Sequence, residues 1–163
     1  MSVGIIRVAG VGIAAVVLTL AAGSAPAGAV GVGDEGCTPG YWKNHPAAWE
    51  EFVFGASKLS QVVGDGVLDA QFVFPASLAG FADDTLSSAL QGGGGPGLTG
   101  ATTILVRAAS AAVLNAAHDG LGYPLQRPEI YDLVNAALAS EDRATILDVA
   151  SQLDALNNLG CPL

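Results

Sequence analysis

A chain of 163 residues, 51% hydrophobic and 13% charged, is one domain's worth of material with enough apolar content to bury a core. Six basic against fifteen acidic residues give a formal charge of −9. Such a surface repels phosphate backbones, which need clustered Lys and Arg to displace counterions, so nucleic acid is excluded as a partner.

Residues 1–29 read as an export signal peptide. Arg7 supplies the positive start, residues 8–22 the apolar run, and Ala25-Pro26-Ala27-Gly28-Ala29 the small residues for cleavage after Ala29. The run is short for a bilayer span, which needs about 20 apolar residues. No later segment reads as an anchor, and Asp34-Glu35-Gly36 ahead of Cys37 is not a lipid-attachment sequence. The expectation is a secreted, extracellular chain with no membrane contact after signal cleavage. Outside the cell a disulfide is stable; Cys37 and Cys161 are the two cysteines, no Cys-x-x-Cys occurs, and one bridge between them is expected.

Residues 30–36 form a flexible spacer of glycine and acid, and a single helical domain is expected over 37–163. It opens on Cys37-Thr38-Pro39-Gly40-Tyr41-Trp42-Lys43-Asn44-His45-Pro46, where Thr38-Pro39-Gly40 reads as a turn. Pro46 then starts a short helix over 46–51 with Glu50 and Glu51 near its positive end. No period holds over 52–81, where Gly55, Gly64, Gly66, Pro75 and Gly80 interrupt every candidate element. Phe52-Val53-Phe54 nearly recurs as Phe72-Val73-Phe74. Two loops that each drop a Phe into a helical core is the preferred reading, with a small two-stranded ribbon between them as the alternative. Asp83-Asp84 then cap a short helix over 85–91 that ends at Gly92. The glycine-rich run 92–97 lacks the preceding strand and following Gly-Lys-Ser/Thr of a phosphate-binding loop, and reads as a connector.

Residues 98–118 form the longest helical stretch and the expected central helix. At 100° per residue Leu105, Ala109, Ala112, Val113 and Ala116 make one apolar face. Thr103, Arg107, Ser110, Asn115 and His118 share a polar sector that Leu114 interrupts. Arg107, set in an Ala-rich stretch, is expected to be buried with a partner, because an unpaired buried charge is costly. After Asp119-Gly120 a loop leads to Pro128, which starts a helix with Ile130, Leu133, Val134, Ala137 and Leu138 in a buried stripe. Ser140 is expected to cap the last helix, with Glu141 and Asp142 in its first turn. Its apolar face is Ile146, Val149, Ala150, Leu153 and Leu156, and Gly160 stops it. The fold expected is all-α: a small domain of three to five helices with a long irregular N-terminal half, stapled by one disulfide. The decapeptide is expected to act as a clasp whose aromatic residues pack on the final helix.

The decapeptide, Leu105-Val106-Arg107, the stretch 112–118, Tyr123-Pro124 and the closing Gly160-Cys161-Pro162-Leu163 together resemble a family of secreted, uncharacterised bacterial proteins. That family opens on the same Cys-Thr-Pro-Gly-Tyr-Trp-Lys-Asn-His signature and ends in Gly-Cys-Pro-Leu. The resemblance implies an exported helical domain and assigns no catalytic residue or cofactor.

Nucleophilic catalysis needs Ser, Thr or Cys beside a His held by a carboxylate. Both cysteines are expected in the bridge and no Gly-x-Ser-x-Gly occurs, so no catalytic residue is assigned. The carboxylate pairs Glu50-Glu51, Asp83-Asp84 and Glu141-Asp142 each fall where a helix is expected to begin, and capping accounts for them. His45, His118 and Asp119 are the weak candidates for a metal site, against structural roles in a turn and at a helix end. Tyr41, Trp42, Lys43, His45 and Trp49 form a possible binding surface, since sugars stack on apolar ring faces; the competing account is a small core beside the disulfide. The functional expectation is a secreted, non-catalytic extracellular or cell-surface module, structural or adhesive. The alternative is a binding protein for a glycan, a cell-wall polymer, a metal or a small ligand, and a secreted hydrolase ranks below both.

Overall fold

The structure, a computed structural model, describes residues 34–49, 57–64, 67–70 and 72–163. The expected export signal, Glu50-Glu51 and the first Phe-Val-Phe segment lie outside the described residues. The fold is all-α. Five α-helices are described: α1 (Pro39–Asn44), α2 (Leu86–Ala89), α3 (Gly97–Ala117), α4 (Arg127–Ser140) and α5 (Arg143–Asn157). Two 3-10 helices, Pro46–Ala48 and Ala76–Phe81, and one antiparallel ribbon of β1 (Val62–Gly64) with β2 (Val67–Ala70) complete the described elements.

The opening of the domain differs from the expectation. Thr38-Pro39-Gly40 starts a helix instead of making a turn: Tyr41 N–H donates to Thr38 Oγ1 at 3.1 Å, and Pro39 occupies a first-turn position whose N–H has no helical partner anyway. Pro46 then ends α1, because it has no N–H to give to the carbonyl of Trp42. That carbonyl takes Trp49 Nε1–H instead, at 3.0 Å. The helix expected over 46–51 is accordingly one 3-10 turn that stops at Ala48. The spacer also differs at its end. Glu35 N–H donates to Gly122 O, and Gly36 pairs with Gly160 as an isolated bridge, so the chain is held before Cys37 is reached. A Cβ at Gly36 would run into the Leu156 carbonyl, and Gly160 has φ of +139°, so both halves of this bridge need glycine.

Phe72-Val73-Phe74 is extended loop, not strand. Phe72 is buried 5.0 Å from the Tyr131 ring, and Phe74 stacks on Phe81 at 6.0 Å. The ribbon that does form joins β1 to β2 in the register Val62↔Ala70, Val63↔Leu68 and Gly64↔Val67. Ahead of α2 the cap is Thr85, reciprocally bonded with Ser88, and not the two aspartates. Asp83 pairs with Lys58 at 2.6 Å, and Asp84 gives its carbonyl to Leu59 N–H.

α3 is the central helix. It packs most extensively on α5, and also on α4, α2 and α1. Being enclosed on several sides, it buries part of its nominal polar sector as well: Ser110 and Asn115 are fully buried, as is Leu114, while Thr103 and His118 are half-buried. Ser110 satisfies its hydroxyl on Val106 O at 2.7 Å. Arg107 is the correction here. It is exposed, so no buried partner is required of it. α3 is also long and apolar enough to cross a membrane by length and composition. Its apolar window is 67% buried inside the domain, which is the position of a core helix.

In α4, Tyr131 takes a core position and Leu133 is exposed, because the helix turns Ile130, Tyr131, Val134, Ala137 and Leu138 inward. The α4–α5 junction also departs from the expectation. Ser140 belongs to α4, Glu141 adopts the left-handed conformation with φ of 49°, and Asp142 is the cap of α5, accepting Thr145 N–H at 2.8 Å. One left-handed residue suffices to end one helix and free the next residue to cap the following one. Along α5, Ile146, Val149, Ala150 and Leu153 are buried, Leu156 is half-buried, and the buried stripe ends on Asn157.

Candidate functional site

The decapeptide is seated by an asparagine. Cys37 lies beside α3, where the side-chain amide of Asn115 acts as a strand neighbour would: Cys37 N–H donates to Asn115 Oδ1 at 2.8 Å, and Asn115 Nδ2 donates to Cys37 O at 2.9 Å. Trp42 Nε1–H reaches the same Oδ1 at 3.0 Å, and the second Asn115 N–H goes to Asn157 Oδ1 at 2.9 Å. All four hydrogen-bonding positions of the Asn115 amide are therefore filled. Asn157 continues the chain. Its Oδ1 also accepts Tyr123 O–H at 2.9 Å, and its Nδ2 donates to Ala108 O at 2.9 Å. This network joins the signature, α3, the loop before α4 and the end of α5. Burial pushes the Tyr123 phenol well above its ordinary pKa, since the phenolate would have to form away from water.

The disulfide expected between Cys37 and Cys161 is present, with Cα atoms 4.5 Å apart. Cys37 is buried and Cys161 exposed, so the staple reaches from the Asn115 network to the surface.

The possible binding surface divides. Trp42 is fully buried, its ring 5.9 Å from that of His118, and it presents no face to a ligand. Its helix packs on α3, and its indole N–H is linked through Asn115 to Asn157 of the final helix. Tyr41 and Trp49 are half-buried, while Lys43 and His45 are exposed. His45 stacks on Tyr41 with centroids 4.2 Å apart and planes at 17°, and its Nδ1 lies 2.9 Å from Tyr41 O. A carbonyl only accepts, so this contact requires a hydrogen on Nδ1. His118 has the opposite arrangement: its Nδ1 accepts Gly120 N–H at 3.0 Å. Among the described residues no group of three or more His, Cys, Asp or Glu side chains converges, so His45, His118 and Asp119 are not brought together as a metal centre.

Of the carboxylate pairs, Asp83, Glu141 and Asp142 each engage a polar partner. The Lys58 ammonium holds the Asp83 carboxyl below its ordinary pKa by hydrogen bonding and charge. The Thr145 backbone N–H and hydroxyl do the same for Asp142. Glu141 accepts the Ser77 hydroxyl at 2.8 Å.

Sequence reasoning missed Asn115 and Asn157 as the hub. The available signal was an amide inside an Ala-rich run and a second amide four residues after Leu153, where the apolar stripe of α5 would continue. No family model matches this chain, and neither the curated proteins nor the solved structures contain a match.

Proposed function

We propose that this chain is an exported, non-catalytic module that works outside the cell or at its surface in a structural or adhesive role. The observation that carries the reading is the use made of the signature. Thr38 caps α1, Trp42 fills the core, and the Cys37 backbone is engaged by Asn115, so the most distinctive residues hold the domain together. The bridge between Cys37 and Cys161 is compatible with an oxidising extracellular environment. The leader-like residues 1–29 and the acidity of the chain accord with release into that space.

A second reading, a glycan or cell-wall polymer binder, rests on the stacked pair of Tyr41 and exposed His45 beside Lys43. One experiment separates the readings. The purified mature chain is sedimented with intact cells, isolated walls and insoluble glycans, and the supernatants are assayed for released sugars and peptides. Retention without product release is the expected result. Release of soluble products would overturn the non-catalytic assignment, and absence of retention on every surface would overturn the adhesive one. Loss of retention on changing Tyr41 and His45 to Ala, with unchanged melting, would move the function to the stacked pair.

A further inference from the structure

Where α3 lies along α5, the surface carries a groove of about 350 Å³. Ala108, Ala150 and Ala155 line it with methyl groups, and Pro39 and Ile104 add apolar walls. Its polar groups are Arg107 from α3 and Ser151 and Asp154 from α5.

The chemistry of that rim is unusual for this molecule. Arg107 and Asp154 are both exposed, carry opposite charges in one groove and do not pair with each other; the ion pair formed among the described residues is Lys58 with Asp83. Ser151 and Asp154 stand three residues apart on α5, so they share a face. The Ser151 hydroxyl donates its hydrogen to Leu147 O at 2.8 Å, which leaves the oxygen to accept. The groove thus offers a donor fork at Arg107 and two acceptors at Asp154 and Ser151, over a lining of alanine, proline and isoleucine. Its volume falls at the small end of ligand pockets, roughly 300 to 1,000 Å³.

We propose that this groove binds a short zwitterionic peptide with small side chains, its carboxylate on the Arg107 guanidinium and its ammonium on Asp154 and Ser151. A guanidinium receives a carboxylate through two parallel hydrogen bonds, and an ammonium has three donors to share between a carboxylate and a hydroxyl oxygen. Methyl side chains suit the alanine lining. This inference does not depend on the structural role of the signature, although Pro39 of the signature forms one wall of the groove.

The test is a titration of the isotope-labelled mature protein with the dipeptide Ala-Ala, followed by NMR. Saturable shifts at residues of the groove are expected. Acetylating the peptide's amine or amidating its carboxylate each weakens binding by about tenfold or more, the scale of one charge-assisted hydrogen bond. Arg107→Gln and Asp154→Asn weaken Ala-Ala to a similar degree with unchanged melting temperatures, since both side chains are exposed, while Arg143→Gln on the same helix as Asp154 leaves binding as it was. The proposal is overturned if Ala-Ala gives no saturable shifts, if the blocked peptides bind as well as the free one, or if either groove variant binds like the parent. An equal loss in Arg143→Gln also overturns it, because bulk electrostatics would then be the cause.

Discussion

Asn115 ties the opening of the domain to its core, because its amide serves Cys37 N–H, Cys37 O, Trp42 Nε1 and Asn157 Oδ1 together. Replacing it by Ala strands buried donors and an acceptor, each costing about 1 to 3 kcal/mol when left unmade. Asn115→Ala is therefore expected to lower the unfolding free energy by about 3 kcal/mol or more in a denaturant titration, against about 0.5 kcal/mol or less for exposed Arg107→Ala. Equal small effects would show that the network is not what secures the signature. Tyr123 adds a pH signature. Its folded pKa is raised above the ordinary value of about 10, so the unfolded chain loses the phenolic proton first. The stability linked to that proton is complete below pH of about 10 and is lost as the pH rises towards the folded value. Melting temperature is expected to fall from that point upward, and Tyr123→Phe to flatten the fall while costing about 1 kcal/mol at neutral pH. A parent and a variant with the same alkaline slope would assign the effect elsewhere.

At the scale of elements, helix ends decide most of the differences between pattern and structure. The long helix, the stripe of α4 through Ile130, Val134 and Leu138, and the stripe of α5 through Ile146, Val149 and Leu153 are legible because burial repeats with the helical period. The caps are less legible where several cappers stand side by side. Asp83, Asp84 and Thr85 all qualify before α2, and the choice falls to Thr85, which exchanges hydrogen bonds with Ser88 while Lys58 engages Asp83 from a distant segment. Ser140, Glu141 and Asp142 are resolved by the left-handed backbone of Glu141. Asn115 was illegible for another reason: the helical period marks it as one of a polar set but does not say that α1 and α5 cover that sector. Asp142 gives the prediction at this scale. Thr145 holds its carboxyl below the ordinary pKa, so its contribution is present above pH of about 4 and is lost as the pH falls through the lowered folded value. Asp142→Asn keeps a capping acceptor and removes the charge. It is expected to melt below the parent at neutral pH and to converge with it in strong acid; a gap that persists there would mean that the charge is not the cause.

Taken as one molecule, the fold is a helical core closed by its own two ends. The bridge spans 124 residues of sequence and leaves the unfolded chain as one large loop, for which the chain-entropy account gives about 4 to 5 kcal/mol. Yet the ends are not held by sulfur alone. Gly36 pairs with Gly160, Cys37 is bonded through its backbone to Asn115, and Trp42 is buried against α3. These contacts belong to the folded state, whereas the covalent link acts chiefly on the unfolded one, so the two contributions are separable. Reduction of Cys37–Cys161 is expected to lower the unfolding free energy by about 4 kcal/mol while Trp42 stays shielded from fluorescence quenchers in the folded fraction. Trp42→Ala with the bridge intact is expected to cost about 3 to 5 kcal/mol, the range for truncating a buried aromatic. If reduction alone exposes Trp42 in a chain that retains its helices, the bridge is what seats the signature. If Trp42→Ala melts like the parent, the clasp contributes no stability and its residues answer to another role.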